Sequence, residues 1–390
     1  MIFISVLFWL SLLGSVYSYL VYPLILMLRQ RRKRSSVEPT IAPTWPKVSI
    51  IIPVHNAADI IANKIDTTLD LDYPKELLEI LIVSDGSTDG TDKVVQGYSD
   101  RSVRLIQTLH RCGKEEAQRV ALGESSGEIL VFSDVGTVTP PESLKALIVV
   151  FSDMSIGAAS SEDKFIAQEG SPKGEGMYVR YEMWLRRLES ERATLVGLSG
   201  SYFAARRVVC EDWNTAVPSD FNVAIECARK QLRAVSVPEA NGVYMDVAEP
   251  SQEYRRKVRT VVRGMRGLLV NRMVLNPFRY GFFSIQMWSH KVMRWAMPWF
   301  LISVFLLSGV LSIENTLFLY FFIIQTGVYI LAVGSQIFPF SGEITLLRIL
   351  QYIGTVNIAI LNATFLVFMG RRMTTWEPTK RQPRSPGQQE

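Results

Sequence analysis

Val48-Ser49-Ile50-Ile51-Ile52-Pro53-Val54-His55-Asn56 and, further on, Val83-Ser84-Asp85-Gly86-Ser87-Thr88-Asp89-Gly90 decide how this chain folds. Each begins as an apolar, β-branched run and ends in small, polar or acidic residues. The first reads as a strand over Val48 to Ile52 stopped by Pro53. The second continues a strand over Glu79 to Val83. Two more such runs follow, Val103 to Ile106 and Glu128 to Phe132, the latter ended by Ser133-Asp134-Val135-Gly136-Thr137. Helical patterns fill the gaps at Ala58 to Leu69, Thr91 to Tyr98 and Lys114 to Gly123. Continuous apolar strands alternating with helices imply a parallel sheet covered on both faces, an α/β doubly wound domain. Ligands of open α/β sheets bind beyond the carboxyl ends of the strands. Three of the four strands carry their polar residues there.

Outward from this core the composition changes. The chain has 390 residues, of which 48% are hydrophobic, and its mean hydropathy is positive. Ile2 to Leu28 holds no charged residue, and Arg29, Arg31, Arg32, Lys33 and Arg34 follow it. That order is opposite to a cleaved signal peptide and predicts an uncleaved span whose C-terminal side is cytoplasmic. Three late uncharged runs, Trp295 to Ile313, Asn315 to Gly342 and Ile349 to Gly370, are each long enough to cross a bilayer. Three spans after the first would leave the tail outside. Yet Arg371-Arg372, Lys380, Arg381 and Arg384 favour the cytoplasm, so a re-entrant segment or a break near Pro298 is the alternative. The net charge of +5 fits juxtamembrane clusters better than nucleic-acid binding, and no nucleic-acid partner is expected. Cys112, Cys210 and Cys227 are scattered, as in a reducing compartment.

Motif by motif, the acidic turn at Ser84 to Gly90 could be a helix cap and nothing more, with Thr88 or Asp89 capping. There is no GxxxxGK[ST] loop and no GxGxxG fingerprint, which argues against an ATPase or a dehydrogenase. Taken together, the two opening stretches resemble the family 2 glycosyltransferases, which include hyaluronan, cellulose and poly-N-acetylglucosamine synthases. The similarity continues through Gly113-Lys114, Phe132-Ser133-Asp134, Gly200, Arg206-Arg207, Ser219-Asp220-Phe221, Val237 to Ala240 and Arg255 to Arg259. The late apolar runs are similar to that family's membrane-embedded branch.

The resemblance implies a GT-A (Rossmann-like) domain and a nucleotide-sugar site. It places Pro53, His55, Asn56, Asp85, Lys114, Asp134, Gly200, Arg256 and Arg259 at the donor, Asp85 against the base and Lys114 near the nucleotide. It makes Asp134 the first aspartate of a DxD motif, holding Mg²⁺ or Mn²⁺ on the diphosphate. Asp220 becomes the general base that deprotonates the acceptor hydroxyl. Three positions depart from the pattern: Gly136 stands at the second DxD position, Ala57-Ala58 replaces an acidic residue after Asn56, and the QxxRW motif of processive synthases is reduced to Arg256 and Arg259.

Arg256, Arg259, Arg263 and Arg266 share one helical face, which anionic headgroups or a diphosphate would suit. His290, among Trp288, Lys291, Arg294 and Trp295, reads as a headgroup contact on an interfacial helix. The expected organisation is a span over residues 1–28, a basic linker over 29–46, a cytoplasmic catalytic domain over 47–250, interfacial helices over 251–294, about three spans over 295–370 and a polar tail over 371–390. The expected function is inverting transfer from a nucleotide-sugar donor, UDP-linked, to a glycan or lipid-linked acceptor at the cell membrane, with membrane lipids as partners. Two alternatives compete: single-sugar transfer to polyprenyl phosphate, and a non-catalytic nucleotide-binding partner of an export system.

Overall fold

The computed structural model describes residues 1–31, 45–166, 173–245, 250–337, 345–371 and 373. Its centre is a seven-stranded sheet of order β3-β2-β1-β4-β6-β5-β7. The strands are β1 (Val48–Val54), β2 (Leu78–Ser84), β3 (Val103–Gln107), β4 (Ile129–Ser133), β5 (Ile156–Ile166), β6 (Tyr202–Arg206) and β7 (Arg233–Met245). The four strands expected from sequence pair in parallel as β3-β2-β1-β4, with β1 pairing Val48 to Leu78 and Val48 to Ile129, and β5 also pairs in parallel with β7. The sheet is mixed rather than wholly parallel, because β6 runs antiparallel to both β4 and β5.

Every residue of β1 and β4 is buried, as a sheet covered on both faces requires. One face packs Ile50, Ile52, Ile80, Ile82 and Val131 under the helices Ile61–Leu69 and Ser143–Val149. The other packs Ile51, Leu81, Phe132 and Phe203 against Ala117 and Ala121 of the helix Lys114–Glu124. Pro53 does not stop β1, which continues to Val54. It lies past the last β4 pair, Ile51 with Phe132, so the strand tolerates a missing amide there.

Among the described residues, four helices are long and apolar enough to cross a membrane: Ile2–Leu28, Phe282–Leu311, Thr316–Gly334 and Leu347–Phe368. The second begins earlier than expected and runs unbroken through Pro298. The first packs on the second and third through Phe8, Val304, Leu311 and Phe318. The last also packs on the second and third, with Phe365 against Trp299 and Gly354 beside Ala332. It lies lengthwise along the helix Pro250–Val270, with Val258 and Val262 against Ala359 and Ala363. Tyr254 meets Asn362, and Arg266 Nε donates to the Arg371 carbonyl at 2.6 Å. The basic tail beyond residue 373 lies outside the described residues.

Candidate active site

β4 delivers Asp134 to the carboxyl edge of the sheet, where the Asp134 amide donates to the Ser201 carbonyl and the Thr137 amide to the Asp134 carbonyl. The helix Lys114–Glu124 begins directly opposite. Lys114 Nζ donates to Asp134 Oδ1 at 2.5 Å and to the Gly200 carbonyl at 3.1 Å. Asp220 enters from the first turn of the helix Ser219–Arg229, whose position is tied by Leu198 N donating to the Asp220 carbonyl. Gly200 is the hinge of this arrangement. A Cβ there would stand 3.7 Å from Asp220 Cγ, on the same residue whose carbonyl Lys114 holds. Asp134 and Asp220 thus face one cavity of about 790 Å³, which Asn56, Lys114, Gly200, Arg256 and Arg259 also line. That volume is ample for a nucleotide-sugar.

Pro53, His55 and Asp85 are not on the cavity wall. Asp85 is 3% exposed, and its two carboxylate oxygens accept the Cys112 and Gly113 amides at 2.6 and 2.9 Å. His55 Nδ1 meets the Asp85 carbonyl at 2.6 Å. Asp85 therefore anchors the loop that carries Lys114, and contact with a base would require it to release part of that grip. Asn56 accepts the Thr88 amide at 2.8 Å and occupies the left-handed region at φ 49°, which asparagine tolerates better than most residues. His290 is not a headgroup contact. It is buried, with Nδ1 on Glu189 at 2.7 Å and Nε2 on Glu182 at 3.0 Å, and Arg294 closes the group on Glu182 at 2.7 Å. Nor does the basic helix simply face lipid: Arg263 pairs with Glu115, and Arg256 and Arg259 face the cavity.

Two residues escaped sequence reasoning. Asp163 of β5 lines the cavity and accepts hydrogen bonds from Ser199 and Ser201. Burial pushes its carboxyl up from the ordinary aspartate value. Lys64 is 3% exposed and braces the Asp134 turn from beneath, donating to Ser133 Oγ at 2.7 Å and to the Thr137 carbonyl at 2.6 Å. A signal for it existed: Ile61, Lys64, Ile65 and Thr68 form the buried stripe of their helix, and a lysine there must find buried acceptors. Burial, opposed by Asp134, pulls the Lys64 ammonium down from 10.5 to about 7. Between those two values the unfolded chain holds a proton that the native chain lacks, so this group makes stability rise with pH across that window. Below about pH 7 both states are protonated and its contribution is flat. The thermal midpoint of Lys64→Met should accordingly rise less than wild type from pH 7 to pH 9, and parallel slopes would contradict this.

A divalent cation fits this site only in part through the protein. Among the described residues no group of three or more His, Cys, Asp or Glu side chains is placed to hold a metal ion. Asp134 supplies one hard oxygen ligand at the cavity wall, its side chain 28% exposed. Mg²⁺ and similar ions bind through one or two carboxylates together with substrate phosphates and water, so one carboxylate suits a cation that arrives on a diphosphate.

A mixed α/β sheet with acidic groups gathered at the β4 edge, and apolar helices packed beside it, defines a GT-A glycosyltransferase architecture. The mannosyltransferase PcManGT from Pyrobaculum calidifontis, solved with GDP-Man and Mn²⁺, matches 95% of this chain and 100% of its own at TM-score 0.72. Its 18% identity makes the likeness one of fold. Residues 49–213 match the family described as Glycosyl transferase family 2, which bears out the resemblance seen in the β1 and β2 motifs and places that stretch in the family. Among curated relatives, the Bacillus subtilis protein named Probable glycosyltransferase YdaM is 29% identical over 39% of this chain and 38% of its own length. Glycosyltransferase AglE of Haloferax volcanii is 34% identical over 23% of this chain and 31% of its own. The chain thus spans about a third of the length of these relatives.

Proposed function

We propose that this chain is a membrane-anchored, inverting glycosyltransferase that moves a sugar from a nucleotide-sugar, UDP-linked in this reading, to a polysaccharide or lipid-linked acceptor. The observation that supports the reading is the junction at Gly200, where the Lys114–Asp134 pair and Asp220 meet at the wall of one cavity. Asp220 takes the proton of an acceptor hydroxyl as its oxygen attacks the anomeric carbon. The bond from that carbon to the diphosphate breaks, and its electron pair leaves with the phosphate. Attack opposite the leaving group inverts the anomeric configuration. Lys114, with Arg256 and Arg259, offers cationic donors to diphosphate oxygens. A bound Mg²⁺ or Mn²⁺, held by Asp134, would further neutralise the leaving group.

In our reading the basic residues Arg29 and Arg31 support a cytoplasmic domain side for the first helix. Three helices would then cross the membrane, with the fourth along Pro250–Val270 in the interface, an arrangement that Val258 and Val262 against Ala359 and Ala363 support. The test is turnover of UDP-glucose, UDP-N-acetylglucosamine and GDP-mannose by the full-length protein in lipid nanodiscs. Nucleoside diphosphate release from at least one donor, abolished by chelator and restored by Mn²⁺, is expected. Silence with every nucleotide-sugar supplied, in protein that is folded by circular dichroism, would end the proposal.

A further inference from the structure

The cavity extends beyond the Lys114–Asp134 pair. Its wall there is built from Val196, Gly197 and Leu198, from Phe221, and from Lys291 and Trp295 of the helix Phe282–Leu311. Residues Met287–Val292 of that helix form a π-helical turn, a local widening that is frequent at functional sites. It presents His290 and Lys291 to the cavity together. His290 is consumed by Glu182 and Glu189, and Arg294 by Glu182. Lys291 takes no direct part in that group, although Glu189 Oε2 and Arg294 Nε and Nη2 have no hydrogen-bond partner among the described residues.

Lys291 is left over. Its Nζ lies 5.8 Å from the centre of the Phe221 ring and 3.5 Å from where a Cβ on Gly197 would stand. The glycine makes room for the ammonium. Among the described residues no hydrogen-bond acceptor or ion-pair partner reaches it, although Asp220 and Glu182 are near enough to act on it through space. A half-buried ammonium at the wall of a cavity, with no direct partner, is a ready site for an anion. Asp220 cannot serve as that partner and also accept a proton from the acceptor.

We propose that Lys291 forms an anion subsite for a phosphate group carried by the acceptor, seated beside the hydroxyl that Asp220 deprotonates. The phosphate is an anchor and not the nucleophile, since a phosphate oxygen would need no base. Lys291 sits near the start of an apolar helix long enough to enter the bilayer, so the phosphate belongs to a membrane lipid that carries the acceptor sugar. This deepens the transferase reading and rests on it for Asp220.

Binding of farnesyl phosphate, farnesol and inorganic phosphate to the full-length protein in phosphatidylcholine nanodiscs tests the subsite, with UDP binding followed in parallel. Wild type should hold farnesyl phosphate roughly 10- to 100-fold more tightly than farnesol, the range expected for a charge-assisted contact. Lys291→Met should erase that preference, and Lys291→Arg should keep most of it. Equal binding of the two lipids by wild type, or an unchanged preference in Lys291→Met, would overturn the inference. So would loss of UDP binding in Lys291→Met, which would assign the ammonium to the donor half. Displacement of farnesyl phosphate by equimolar inorganic phosphate would make it a free-anion site and also overturn the lipid assignment. Turnover of nucleotide-sugars is a separate readout: its absence alongside Lys291-dependent lipid binding would sink the transferase reading and leave the subsite standing.

Discussion

Asp220→Asn is expected to lower sugar transfer by roughly 10²- to 10⁴-fold, the usual worth of a positioned general base. The substitution keeps the shape of the side chain and removes only its ability to take a proton. The backbone contact that fixes the helix start, Leu198 N to the Asp220 carbonyl, does not involve the side chain. The loss should therefore fall on kcat and leave the donor KM within a few fold, the signature of an interaction made in the transition state. Steady-state kinetics with the donor identified in the turnover screen checks this. A kcat within threefold of wild type would remove Asp220 from the chemistry.

Asp134→Ala should produce the second large effect, a fall of roughly 10²- to 10³-fold in transfer, comparable to removing a main electrostatic stabiliser of a leaving group. Two consequences follow from one deletion. Lys114 loses the 2.5 Å partner that directs its ammonium and keeps only the Gly200 carbonyl. The sole carboxylate of the DxD position also disappears, because Gly136 offers no side chain to replace it. The Mn²⁺ concentration for half-maximal turnover should rise at least tenfold, while the thermal midpoint changes little because the side chain stands at the cavity wall and not in the core. Wild-type turnover at wild-type Mn²⁺ concentrations would place charge neutralisation on Lys114, Arg256 and Arg259 alone.

What could be read from the sequence follows the strength of local signals. β1 to β4 announce themselves as apolar runs, three of them ended by polar turns; the structure extends β1, β2 and β3 by a residue or two and shifts β4 by one. β5 and β6 do not, since Ala158, Ala159, Ser160 and Ser161 in one and Ala204 and Ala205 in the other have little β-branched character. Their burial comes from the strands beside them. The antiparallel turn at β6 was invisible for the same reason. Asp134, Lys114 and Asp220 were found through motifs, and the cavity brings them together. Asp85 shows where motif reading stops short: it stands just past β2, but its hydrogen bonds go to the Cys112–Gly113 backbone and not into the cavity. Lys64 and Lys291 were missed because buried lysines are recognised by what surrounds them, and those neighbours come from distant parts of the chain. The pairing of the last apolar helix with Pro250–Val270 is equally non-local. Hydropathy alone counts that helix as a span, and only its contacts along Val258, Val262 and Arg266 set it apart.

The central claim is that a sugar diphosphate occupies the space between Asp134 and Asp220. Anomalous scattering from Mn²⁺ in crystals of the full-length protein grown with its nucleoside diphosphate tests it most directly. The account predicts a single peak within coordination distance of the Asp134 carboxylate, with the diphosphate beside Lys114 and open space toward Asp220. A nucleotide bound elsewhere on the domain, with the 790 Å³ cavity empty, would contradict it.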